Sequence, residues 1–215
     1  MNYLLYLFIA IISIVLSVFT WIKYDAFTMK NLFKHYKKTL CFFLVIAITI
    51  VTFLTLVKRN YDYVDIVKIA IVYSVLLTVA MIDYKFHRIP NQILISACII
   101  RICLMCFELF YYENELFKGI VISCVIGAVI SFLFLSIISK MTKQGIGMGD
   151  IKLFSVIGFS LGLLSAYYIL FYALIILVVY TVIEKFRNKV DRKSKIPFGP
   201  FIYIGYIFVL LAGGI

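Results

Sequence analysis

Runs of about 20 mostly apolar residues, broken only by short charged or proline-bearing stretches, recur along the whole chain. A helix needs about 20 such residues to cross the hydrocarbon core of a bilayer. Eight segments meet that description, near 3–22, 40–57, 66–83, 92–110, 117–138, 150–165, 167–183 and 199–215. The pattern predicts an all-α, polytopic transmembrane helix bundle of about eight spans. The stretch 150–183 is open: the small residues Gly158, Gly162 and Ser165 suggest a turn between two short helices, and one long helix with a re-entrant piece is the alternative. Composition excludes an ordinary soluble domain. The chain is 65% hydrophobic and 14% charged, whereas soluble domains are about half apolar and about a quarter charged.

The net charge of +11 raises the prospect of a nucleic-acid partner, but the placement of the cations argues otherwise. Cytoplasmic loops of membrane proteins carry the Lys and Arg excess. One alternating set of loops holds 16 of the 21 cations: Lys23 to Lys38, Lys85 and Arg88, Lys140 to Lys152, and Lys185 to Lys195. The opposite set holds Lys58, Arg59, Lys68 and Lys118, and Arg101 falls inside a span. Eight spans with the N-terminus outside fit this count, in a multi-pass protein of the cell membrane. The cations then serve orientation and contact with anionic lipid headgroups, and no nucleic-acid partner is expected. The start Met1-Asn2-Tyr3 has no basic residue ahead of its apolar run, so a retained first span is expected rather than a cleaved signal. Five cysteines without framework spacing read as apolar residues within helices.

Two of the ten acids stand apart from the loop carboxylates. Asp83 ends the third segment and Asp150 opens the sixth, both on the cation-rich side. A carboxylate at the hydrocarbon edge is costly, so such acids pair, bind an ion or do chemistry, although a capping role suits either one alone. Gly145, Gly147 and Gly149 precede Asp150, and without Cβ atoms they let a backbone or substrate strand approach the carboxylate. They do not make a phosphate cradle, because an Asp stands where the dinucleotide fingerprint needs its third glycine. Two carboxylates brought together share one proton. One then activates water and the other polarises a scissile carbonyl, the logic of an aspartyl protease, with no metal and no cofactor.

Three segments carry a resemblance. Ile82-Asp83 with Arg88-Ile89-Pro90-Asn91, then Gly147-Met148-Gly149-Asp150-Ile151-Lys152-Leu153, then Ile196-Pro197-Phe198-Gly199-Pro200-Phe201, resemble the signature segments of type IV prepilin peptidases, membrane aspartyl proteases with a Gly-x-Gly-Asp motif. The resemblance covers roughly 66–215 and implies a protease core there, preceded by a two-span region, 1–65, with a basic cytoplasmic loop. It implies that Asp83 and Asp150 are the catalytic dyad. Pilin-like precursors with short basic leaders would be the substrates, cut on the cytoplasmic side. Gly147, Gly149, Lys152, Arg88, Pro90, Asn91, Pro197, Gly199 and Pro200 would support the site.

Longer members of that family also methylate the new N-terminus and bind zinc through two Cys-x-x-Cys pairs in the loop after the first span. Loop 23–39 contains no cysteine, and the pair Cys103 and Cys106 lies inside a span, where packing is the expected role. A peptidase-only form without methyltransferase activity is therefore expected. Arg101 should face the bundle interior, with Glu108 two turns along as a possible partner. His87 reads as interfacial, Lys152 as snorkelling or tuning the dyad, and Asn91 as the cap of the helix after Pro90. An ion-coupled transporter with two proton-carrying Asp is the alternative, and it would call for related halves that the sequence lacks.

Overall fold

A computed structural model of the chain describes residues 49–52, 54, 55, 58, 59, 61–142, 145–187 and 196–214. The expected first span and loop 23–39 lie outside the described residues, as does part of the expected second span. Among the described residues the longer elements are all helices: α1 Tyr63–Phe86, α2 Asn91–Tyr111, α3 Asn114–Met141, α4 Met148–Leu161, α5 Leu163–Phe186 and α6 Gly199–Ala212. α1, α2, α3 and α5 are long and apolar enough to cross a membrane. The protein is an integral membrane protein. α4 and α6 have 14 residues each, about 21 Å of helix, and fall short of the roughly 30 Å of hydrocarbon on their own.

The chain divides into two compact units, residues 1–78 and 79–215, with the boundary inside α1. In the first unit, Thr49 Oγ1 and the Tyr73 hydroxyl share a buried hydrogen bond of 2.6 Å. The second unit carries the candidate site. Its most extensive packing is of α3 on α4, followed by α5 on α6.

Small residues decide the α3–α4 packing. Ser123, Gly127 and Ser131 recur every fourth position on α3, and Gly158 and Gly162 do so on and just after α4. A Cβ on Gly127 would stand 2.5 Å from the Gly158 carbonyl oxygen, and one on Gly162 would stand 2.7 Å from Ser123 Oγ. Ser155 Oγ donates to the Ala128 carbonyl at 3.1 Å across the same seam. In lipid there is no hydrophobic drive between helices, so close backbone approach and interhelical hydrogen bonds provide the attraction. The open question over 150–183 resolves at Gly162. Its φ of +84° breaks the run into α4 and α5, a backbone that an L side chain adopts only under strain.

The side chain of Arg101 turns inward, as its burial cost demands. It is 2% exposed and forms a two-pronged pair with Glu108, which is fully buried, at 2.8 and 3.0 Å. Arg101 Nη2 also lies 3.5 Å from Cys124 Sγ on α3. The rise between the two residues is about 10 Å, and the long arginine stem closes it. Cys103 and Cys106, expected to pack within the bundle, are instead exposed on the outer face of α2. That face has no helix against it among the described residues, and small polarizable thiols are compatible with lipid there.

Candidate active site

The C-terminal turn of α1 and the N-terminal turns of α2, α4 and α6 meet at one end of the second unit. Asp83, 6% exposed, lies one turn before the end of α1. The backbone N–H of Gly199, first residue of α6, donates to Asp83 Oδ2 at 2.7 Å across 116 positions of sequence. A helix N-terminus presents N–H groups without helical partners, and the Asp83 carboxylate accepts from one of them. Gly199 is glycine for lack of room: a Cβ would stand 3.0 Å from Asp83 Cβ and 3.4 Å from Ala80 Cα. Pro200, second in α6, occupies a position whose N–H needs no helical partner. Pro197, half-buried, precedes it.

Asp150 is the third residue of α4, a short helix that is not one of the four candidate spans. Burial, and next the Asp83 carboxylate, push its carboxyl up to about 7, while the Gly147 backbone N–H pulls the other way. The two aspartates that the sequence singles out are thus brought within electrostatic reach of each other. Gly147 caps α4 with extended backbone, and a Cβ there would stand 3.1 Å from Asp150 Oδ2. A Cβ on Gly149 would stand 3.1 Å from Ile89 Cβ. The loop before α4 is pinned by Ser139 Oγ, which donates to the Ile146 carbonyl at 2.9 Å.

One expected role shifts. Asn91 does not cap α2, whose cap position is Pro90, with no side-chain cap hydrogen bond. Asn91 Oδ1 instead accepts from Lys152 Nζ at 3.1 Å. The reason is geometric: Asn91 is already the first helical residue, whereas a capping side chain acts from the non-helical position before it and accepts from N–H groups two or three residues ahead. Arg88 is exposed, with its guanidinium 5.8 Å from the centre of the Phe86 ring, beside Lys85 Nζ at 5.2 Å.

Two contributors escape a reading of motifs alone. His87 has φ +52°, stops α1 and points Nδ1 at the Asp83 carbonyl at 3.1 Å. Its residue type is the available signal, since His enters the left-handed region more readily than most. Phe154, one turn past Asp150 on α4, packs its ring 6.0 Å from that of Phe198, the residue before Gly199. Among the described residues there is no cluster of three or more His, Cys, Asp or Glu able to hold a metal.

Comparison with known proteins gives the chain its relatives. Residues 70–182 match the family model of the type IV leader peptidase family. A prepilin leader peptidase/N-methyltransferase of Bacillus subtilis is 34% identical over 140 residues, 65% of this chain and 53% of that protein. One of Burkholderia pseudomallei is 30% identical over 105 residues, 43% of this chain and 34% of that protein. The chain thus spans between about a third and half of the length of these curated relatives. No solved structure matches it. The family match covers more than half of the chain and includes both aspartates, so the chain belongs to the type IV leader peptidase family.

Proposed function

We propose that the chain is a membrane-embedded aspartic endopeptidase that removes the short basic leader of type IV pilin-like precursors at the cytoplasmic face, with Asp83 and Asp150 as its catalytic pair. The carrying observation is two carboxylates at one end of the second unit, one bonded to a helix N-terminus and the other raised to about 7. Their surroundings assign the roles. The Gly199 N–H donates to Asp83, and Asp150, whose carboxyl is raised, is the one to hold the shared proton. Asp83 takes a proton from a water as its oxygen bonds to the scissile carbonyl carbon. Asp150 gives its proton to the carbonyl oxygen, forming a neutral diol. The diol collapses when its C–N bond breaks, with the proton on Asp83 passing to the leaving amine and a diol hydroxyl returning its proton to Asp150.

An apolar groove of about 280 Å³ supports the choice of substrate class. It runs between α3 and α5, with Ile130, Phe134, Tyr167 and Leu170 along its sides and Phe154 of α4 among its lining. Phe154 is one turn from Asp150, so a precursor cut beside the pair has an apolar surface against which its hydrophobic helix can lie. Lys and Arg on the same side suit anionic headgroups, which would hold a basic leader near the membrane. The proposed core is 66–215 within a transmembrane helix bundle, N-terminus outside. The expectation of no methyltransferase activity is carried by loop 23–39, which has no cysteine.

Co-expression with a precursor bearing a basic leader, a glycine and an apolar helix tests the reading. Leader removal by the native chain is expected, with loss of at least a thousandfold in Asp83→Asn and Asp150→Asn at unchanged membrane insertion. Full activity in either variant would sink the pair.

A further inference from the structure

The turn that follows Asp83 and the helix start that carries Asp150 are fastened together at two points. Lys152 Nζ donates to Asn91 Oδ1 at 3.1 Å across 61 positions of sequence. Ile89 lies against Gly149 so closely that a Cβ at 149 would stand 3.1 Å from Ile89 Cβ. The left-handed turn at His87 stands between Asp83 and both of these contacts.

Lys152 follows Asp150 by two residues, about 200° around a helix, so its ammonium projects away from the carboxylate. Its side chain is exposed and reaches Asn91 rather than the catalytic pair. We propose that Lys152 and Asn91 are a positioning pair: with the Ile89–Gly149 contact they clamp the turn after Asp83 onto the N-terminus of α4 and so set the approach of the two carboxylates. The inference rests on the catalytic reading above and deepens it by giving the motif lysine a mechanical task. One exposed hydrogen bond adds little to overall stability. A displacement of about 1 Å at reacting groups, however, costs on the order of a hundredfold in rate.

The test uses the full chain in membranes. Lys152→Met and Asn91→Leu should each lower kcat about tenfold or more with KM within twofold, and the double variant should be no worse than the poorer single. Asn91→Asp, which keeps an acceptor oxygen, should restore activity to within about threefold of native. The pH profile separates a clamp from a direct electrostatic effect. Carboxylates that drift apart hold a shared proton less tightly, so both singles should move the alkaline limb to lower pH. A lysine acting as a cation on the pair would do the opposite when removed, and Asn91→Leu would then leave the limb in place; either result overturns the clamp. A second readout needs no substrate. Disulfide formation between cysteines introduced as Asp83→Cys and Asp150→Cys, followed by peptide mass spectrometry, should slow at least threefold in the Asn91→Leu background, and an unchanged rate overturns the clamp. If the native chain cleaves no precursor, the functional reading fails, and the cross-link alone decides the clamp.

Discussion

Asp83 and Asp150 are the same residue type in different surroundings, and the difference predicts a pH dependence. In the proposed mechanism the working state holds one proton on the pair. As pH rises through about 7, that proton leaves Asp150 and the carbonyl loses its donor. Leader removal should therefore fall as pH rises through about 7, as initial rates across a constant-ionic-strength series would show. Gly199→Ala is the companion experiment. The added methyl would press on Asp83 Cβ at 3.0 Å and Oδ2 at 3.1 Å, and a tenfold loss of kcat, about 1.4 kcal/mol, is expected. Both aspartates stand out in the sequence because acids are scarce and these two border apolar runs, Asp150 directly after Gly149. The donor of Gly199 and the turn of His87 do not, since each acquires meaning only when segments far apart in sequence are folded against one another.

Helix packing separates glycines that look alike in the sequence. Gly127 and Gly119 lie eight positions apart on α3, yet a Cβ at 127 meets backbone of Gly158, Gly162 and Leu163 within 2.9 Å, and one at 119 meets nothing within 4 Å. Gly127→Ala should destabilise by about 1–3 kcal/mol through overpacking, and Gly119→Ala should be neutral or stabilising by up to about 1 kcal/mol. Thermal unfolding in detergent reads both. The Arg101–Glu108 pair gives a different test. Arg101→Met leaves the buried Glu108 without its ion-pair partner, a loss of about 3–5 kcal/mol, while adding Glu108→Leu should recover most of it. The spacing of seven made the pairing conceivable from the sequence. Its two-pronged geometry needed the side chains to converge against Cys124, which no periodicity reports. Lengths were legible within a few residues for α2, α3 and α5, because apolar runs with charged ends define them. α4 and α6 ended sooner than expected, at Gly162 and Gly213, where positive φ stops each helix.

At the scale of the second unit, charge and chemistry share one end. Contacts of Asp83 with Gly199, Asn91 with Lys152, Ser139 with Ile146, and the Tyr180 and Phe201 rings at 5.2 Å bring together that end's helix termini. Lys85, Arg88, Lys140, Lys152, Lys185 and Arg187 lie at or next to those termini, whereas the turn between α2 and α3 at the opposite end carries Glu113 and Glu115 with Lys118. Cations near the ends of spans set orientation, so the first group should face the cytoplasm and the second the outside. In a background with the native cysteines replaced, Glu113→Cys should react with a membrane-impermeant maleimide in intact cells. Arg88→Cys and Lys185→Cys should react only after the membrane is opened. The reverse pattern would put the aspartates on the outer face, where a leader retained in the cytoplasm cannot reach them. Orientation and substrate access are therefore one question, and the labelling of Arg88→Cys, five residues from Asp83, answers both.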